Sequence, residues 1–119
     1  MRIPVNVSEA RALLEGIGPD AAIVTNAAGG KSSAAVARLD LVPPLSLLEI
    51  GRILDYGAQR YGVGNWKKIE WQDHFNHALI HAFALLAGDT QDDHMGHFAC
   101  RAMMAHESYL LQAHKGKKG

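Results

Sequence analysis

From residue 45 onward, apolar and polar side chains recur with the 3.6-residue period of amphipathic helices, in three long stretches. The first, over about 45–60, puts Leu47, Ile50 and Leu54 on one face and Glu49, Arg52, Tyr56 and Arg60 on another. The second, over about 71–87, has Phe75, Leu79, Ala82, Phe83 and Leu86 as its apolar face, with His74, His77 and His81 in a narrow stripe nearly opposite. The third, over about 93–113, sets Met95, Ala99, Ala102 and Met103 against His94, His97, Arg101 and Ser108. Punctuation supports these bounds. Pro43 and Pro44 keep 38–44 extended as an entry segment, and Gly62 and Gly64 mark 61–66 as a loop. Gly88 is placed as a C-cap, and the acidic turn Asp89–Asp93 caps the third helix.

The two ends carry weaker signals. Ser8–Glu15 predicts a short helix capped by Ser8 and stopped by Gly16, Gly18 and Pro19. Ala21–Thr25 fits a short strand or one helical turn equally, and Gly29–Ser33 fits a mobile arm. Lys115–Gly119 is a basic, glycine-broken tail expected to be disordered. The expectation is an all-α fold: a small antiparallel bundle of three long helices with an irregular N-terminal arm. The arm spans 1–37, the helical domain 38–113 and the tail 114–119.

The chain's 119 residues suffice for one core. Twelve basic residues balance twelve acidic ones, so no global field draws the chain to a nucleic acid polymer or a membrane surface. Any charged ligand must meet a local site. Met1–Glu15 lacks the apolar core of a signal peptide, and no apolar run is long enough to span a bilayer. The single cysteine, Cys100, excludes an internal disulfide and suits a cytoplasmic location; its core-like setting assigns it to packing. Leu48, Ile53, Ile80 and Leu85 remain over after each helix has buried one face. They predict a homo-oligomer, a dimer or larger, with the site shared between subunits.

Histidine changes the picture: five of the seven lie between His74 and His97. A solvated helix face normally carries Lys, Glu and Gln, which favour helix at little cost. These stripes carry His, Asp and Arg instead. The second helix is also apolar most of the way round, so its histidines face a cleft or a subunit interface. The plain alternative is a set of capping carboxylates and imidazoles hydrogen-bonded between helices. His77-x-x-x-His81 has the spacing that lets two imidazoles meet one metal, but a zinc peptidase needs Glu where Ala78 stands. A short acidic turn between two helices brings His81, Asp93 and His97 toward one another. Such mixed imidazole and carboxylate donors suit Mn, Fe, Co or Zn, while the acidic turn by itself suits Mg carrying phosphate.

Other motifs are less specific. Gly29-Gly-Lys-Ser32 resembles the end of a P-loop, but Thr25 stands where a glycine is required, so only Lys31 is kept as a phosphate contact. Asn65-Trp-Lys-Lys68 pairs an aromatic plane with cations, fitting either a stacked base with phosphate or an anchor that packs the loop. No serine sits in the context of a hydrolase elbow.

The segment 38–107 resembles a phage-associated family, the dATP/dGTP diphosphohydrolase N-terminal domain. The matching residues are Arg38-Leu-Asp-Leu-Val-Pro-Pro44, Tyr56-Gly-Ala, Tyr61-Gly, Asn65-Trp-x-Lys68, Asn76-His-Ala and His81. They continue as Ala87-Gly-Asp89, Asp92-Asp-His94, His97 and Ala99-Cys100, with Gly30-Lys31 as an upstream lead. The resemblance implies a metal-dependent phosphohydrolase that cuts purine deoxynucleoside triphosphates to the monophosphate and pyrophosphate, adjusting a nucleotide pool in a phage-infected host's cytoplasm. The chain departs from two known designs. It lacks the repeated Glu-x-x-Glu pairs of the all-helical magnesium pyrophosphohydrolases, since Arg52 follows Glu49. It also has Asp93-His94 where one phosphohydrolase class has His-Asp.

The expected ligands of a divalent ion (Mg or Mn first, then Co or Zn) are His81, Asp93 and His97. Glu49 is the fourth ligand or general base, with His77 and His94 as further bases. Lys31, Lys67 and Arg101 are assigned to phosphate charge, and Asn65 and Trp66 to the base. The alternative is a nucleotide-binding protein that sequesters its ligand without cutting it.

Overall fold

The computed structural model describes residues 21–35 and 37–118, with side chains through residue 113. The expected helix at Ser8–Glu15 lies outside the described residues. The chain divides into two compact units that meet between Val42 and Pro43.

The described part of the first unit is a β-hairpin followed by a 3-10 turn. Strand β1 (Ile23–Thr25) pairs antiparallel with β2 (Lys31–Ser33), and Thr25 stands opposite Lys31. The Asn26 side chain builds the turn by accepting from the amides of Ala28 and Gly30 at 3.0 and 2.8 Å. Gly29 follows with φ +87°, a left-handed conformation that suits glycine. The mobile arm expected at Gly29–Ser33 is therefore corrected: its polar residues form the second strand, because Asn26 supplies turn chemistry that period alone does not reveal. The segment at 38–44 is not wholly extended either. Leu39–Leu41 is a 3-10 turn, braced by two hydrogen bonds from Arg38 to the Asp40 carboxylate at 2.8 and 2.7 Å. That guanidinium holds the Asp40 carboxyl below its ordinary range.

The second unit contains three helices: α1 (Pro44–Tyr61), α2 (Trp71–Leu86) and α3 (His94–Lys118). Pro44 opens α1 at a position where a missing N–H costs nothing. Gly62 leaves the helix at φ +99°, and Asn65–Lys68 forms a 3-10 turn after Gly64, itself at φ +77°. Helix α2 ends in a Schellman motif. Gly88 adopts φ +85°, its amide bonds Leu85 O at 3.0 Å, and the Asp89 amide bonds Ala84 O at 3.1 Å. Asp93 caps α3, its Oδ1 accepting from the Gly96 amide at 3.0 Å. The helix then continues to Lys118, through the tail expected to be disordered. No helix among the described residues is long and apolar enough to cross a membrane.

Helix α3 is the common partner: it packs along α2 and, over a shorter stretch, on α1. The α2–α3 pair is antiparallel, as contacts between His81 and His94, His74 and Arg101, and Trp71 and Tyr109 show. Between these helices lie the buried Ala78, Cys100 and Ala105, whose small side chains admit close approach. Ile50 is the buried residue of α1. On α2 the histidine stripe turns inward at His74 and His81, as a cleft requires, but the expected apolar face does not pack. His74 and Ala78 face inward, while Phe75, Phe83 and Leu86 of the apolar face are exposed.

Gly96 of α3 faces Ile53 of α1. A Cβ there would meet the Asp93 carboxylate and stand 3.0 Å from Ile53 Cδ1. Gly96→Ala is therefore expected to lower the free energy of unfolding by about 1–3 kcal/mol through overpacking. Chemical denaturation measures this directly, and an unchanged midpoint would show that the contact has room.

Candidate metal centre

The α2–α3 hairpin brings His81, His94 and His97 together between its helices, near the turn. His81, on the last turns of α2, places Nδ1 3.0 Å from His94 Nδ1 at the start of α3. The far side of the His94 ring lies against the loop, with Nε2 2.5 Å from Asp89 Oδ2. With Nε2–H donating to that carboxylate, neutral His94 presents the Nδ1 lone pair toward His81. A carboxylate behind an imidazole is the usual support for a metal-ligating histidine. His97, one turn further along α3, stacks on the His81 ring with centroids 5.1 Å apart. Its Nε2 lies 3.6 Å from Asp92 Oδ1.

Donor atoms of His81, Asp92 and His94 all lie within 4.8 Å of one another. Ligands bound at 2.0–2.2 Å to one small ion stand roughly 3–4 Å apart, so modest side-chain adjustment brings these three to a common centre. The residues fit a divalent ion in donor type as well, with two nitrogens and an oxygen. His81 titrates below the ordinary imidazole range, chiefly because it is partly desolvated. The His97, His94 and Arg101 charges push the same way and Asp92 pushes against them. The imidazole is thereby kept in its neutral, ligand-competent form.

The expected residues fall into several groups. His81 and His94 are in the donor group, although His94 was assigned as a base. His97 lies beside the group against His81 and Asp92. Asp92, not Asp93, is the carboxylate that joins them, because Asp93 is turned to the Gly96 amide as the helix cap. Glu49 is exposed on α1 and paired with Arg52. His77 is exposed on α2, outside the donor group. Lys31 is exposed on the hairpin of the first unit. Asn65 and Trp66 are half-buried in the 3-10 turn, with Lys67 Nζ 5.9 Å from the Trp66 ring.

Arg101 is half-buried two turns beyond His94, and one of its N–H groups donates to His74 Nδ1 at 3.0 Å. His74 is completely buried, and its other ring nitrogen lies 2.9 Å from Trp66 O. Sequence reasoning placed His74 in the histidine stripe and Asp89 in the acidic turn but gave neither an individual role in the site. The signals were slight: Ala78 one turn from His74 marks a close-packed face, and Asp89 directly follows the capping Gly88.

The family model for dATP/dGTP diphosphohydrolase, N-terminal, matches residues 26–118. The chain belongs to this family. Comparison with curated proteins gives no match, and neither does comparison with solved structures. Among the described residues of this dATP/dGTP diphosphohydrolase N-terminal domain, the matched span contains the whole imidazole–carboxylate group and the Trp66–His74–Arg101 contacts.

His74 titrates below the ordinary imidazole value of 6.5, first because it is desolvated and further because of Arg101 and His77; the Trp66 carbonyl and Asp73 oppose the shift. Below pH 6.5 the unfolded chain therefore binds protons that the folded chain refuses. The stability contributed by neutral His74 is present above that pH and lost as pH falls through the folded-state value. The melting temperature is expected to fall between pH 7 and pH 5, and His74→Gln should flatten that slope. An equally steep slope in His74→Gln would assign the acid sensitivity elsewhere.

Proposed function

We propose that this domain is a metal-dependent phosphohydrolase that cleaves purine deoxynucleoside triphosphates to the monophosphate and pyrophosphate. The observation that carries the reading is the convergence of His81, Asp92 and His94 within a chain of the dATP/dGTP diphosphohydrolase family. His81, Asp92 and His94 would hold the ion, with Asp89 fixing the His94 ring. When bound, a divalent ion supplies charge neutralisation to the phosphate chain and lowers the pKa of an attacking water. The imidazole-rich donor set favours Mn, Co or Zn over Mg, which prefers oxygen ligands and retains water.

Each protein group has a task in this reading. His97 lies beside the donor group, and an imidazole is suited to take a proton from water near neutral pH. Water then adds to the α-phosphorus, the bond to the bridging oxygen breaks, and pyrophosphate leaves. Arg101 meets the negative charge of the phosphate chain. Trp66 and Asn65, on the 3-10 turn that contacts α3, would meet the base, with Lys67 as a second cation.

The working form is proposed to be a homo-oligomer. On α2, Phe75, Phe83 and Leu86 are 50%, 66% and 82% exposed on the face away from α3, a run of apolar surface that a second copy would cover. The reading also places a phage-encoded copy of such an enzyme in the host cytoplasm, acting on free nucleotides.

The purified protein is expected to convert dGTP and dATP to monophosphate and pyrophosphate with Mn, and to lose activity in EDTA. His81→Ala and Asp92→Asn should each lower kcat/KM about a hundredfold or more. Asp93→Asn, which keeps a capping side chain, should stay within about threefold. Intact nucleotides in the presence of Mn, together with a raised melting temperature, would instead establish a sequestering protein. Light scattering at micromolar concentration is expected to report a dimer or larger and Phe83→Glu a smaller species; a monodisperse wild-type monomer sinks the assembly.

A further inference from the structure

Among the described residues, Arg101 is a half-buried cation without an acidic partner. Among the described residues no carboxylate pairs with it, and its hydrogen bond goes to an imidazole. Charges withdrawn from water are normally paired, so a guanidinium held by a neutral group keeps its charge for an anion that arrives later. The His74 ring leaves no ambiguity about its state. A guanidinium can only donate, so His74 Nδ1 accepts. Nε2 must then carry the hydrogen and donate to Trp66 O. The buried ring joins α2, α3 and the 3-10 turn through both nitrogens, with the Trp66 indole edge-on at 6.3 Å.

Arg101 lies one helical turn from His97 and two from His94, on the α3 face that carries the donor group. Its charge is felt at His81 as well as at His74. His74 uses one donor of the planar fork, leaving the others for phosphate oxygens.

We propose that His74 is a positioning residue: it fixes the Arg101 guanidinium, one helical turn from His97, as the cation for a triphosphate chain and, through the Trp66 carbonyl, holds the turn proposed to meet the base. The assignment rests on the nucleotide reading above, but its anion-binding half stands apart from turnover. A lysine in place of Arg101 would lack the planar fork that serves His74 and phosphate together.

The test measures binding of inorganic tripolyphosphate by calorimetry at fixed salt, with circular dichroism to establish folding of each variant. Wild-type protein binds it. Arg101→Gln and His74→Leu each weaken binding about tenfold to a hundredfold, the loss expected for a charged hydrogen-bonding group removed or released from its place. His74→Gln stays within about threefold, because its amide can donate to Trp66 O and accept from Arg101. That rescue separates positioning from simple filling of space. Folded His74→Leu with wild-type affinity overturns the proposal, as does a wild-type protein that does not bind tripolyphosphate.

If His74→Leu does not fold, nitrogen-15 spectra of the wild type decide. Tripolyphosphate must shift the Arg101 Nε–H signal while His74 keeps its Nε2–H tautomer, and an unmoved Arg101 signal overturns the assignment. Turnover distinguishes the two readings. Binding with this variant pattern but without cleavage supports the His74 assignment and removes the hydrolase. Cleavage with kcat and KM unchanged in folded His74→Leu removes the assignment and keeps the hydrolase.

Discussion

One buried imidazole organises the helical unit. His74 accepts from Arg101 on α3 and donates to the carbonyl of Trp66, so a single neutral tautomer joins two helices and a turn. An unpaired polar group at that depth would cost more than the contact gains, so the three elements must be together for any of them to be satisfied. The small residues Ala78, Cys100 and Ala105 are buried in the same unit. Burial also pushes the Cys100 thiol up from its ordinary range, consistent with packing and not with nucleophilic chemistry.

The site is a consequence of how the hairpin turns. The Schellman motif at Gly88 ends α2 and sends Asp89 toward His94, while the Asp93 cap starts α3 one residue after Asp92. The two carboxylates at 92 and 93 thus receive different work. One satisfies a helix amide and the other joins the imidazoles. Fixed caps on both sides hold a short acidic loop in one register, and the donor atoms come together without needing an irregular helix.

Turning polar side chains inward leaves apolar ones outward. The exposed Phe75, Phe83 and Leu86 are the counterpart of a histidine-lined seam between α2 and α3. A small unit whose inner seam is polar gains less from burial along that seam. A second copy covering the outer face would restore that contribution, which links the proposed assembly to the same arrangement that creates the site.

The sequence by itself determined three helices, their bounds within about one residue except the end of the third, the Gly88 stop, and a family membership carried by ordered motifs from Arg38 to Cys100. Those features are local: helical period, caps and glycine conformations depend on neighbours along the chain. The hairpin at 23–33 was only half legible, since a strand of three residues has no period to read and its turn rests on one asparagine. Tertiary structure decided which face of α2 packs, because small residues on a neighbouring helix choose the faces that can approach. It also decided between Asp92 and Asp93. Their positions along the chain are nearly equivalent, and only the helix start at His94 and the place of His81 across the hairpin separate a cap from a carboxylate that joins the imidazoles.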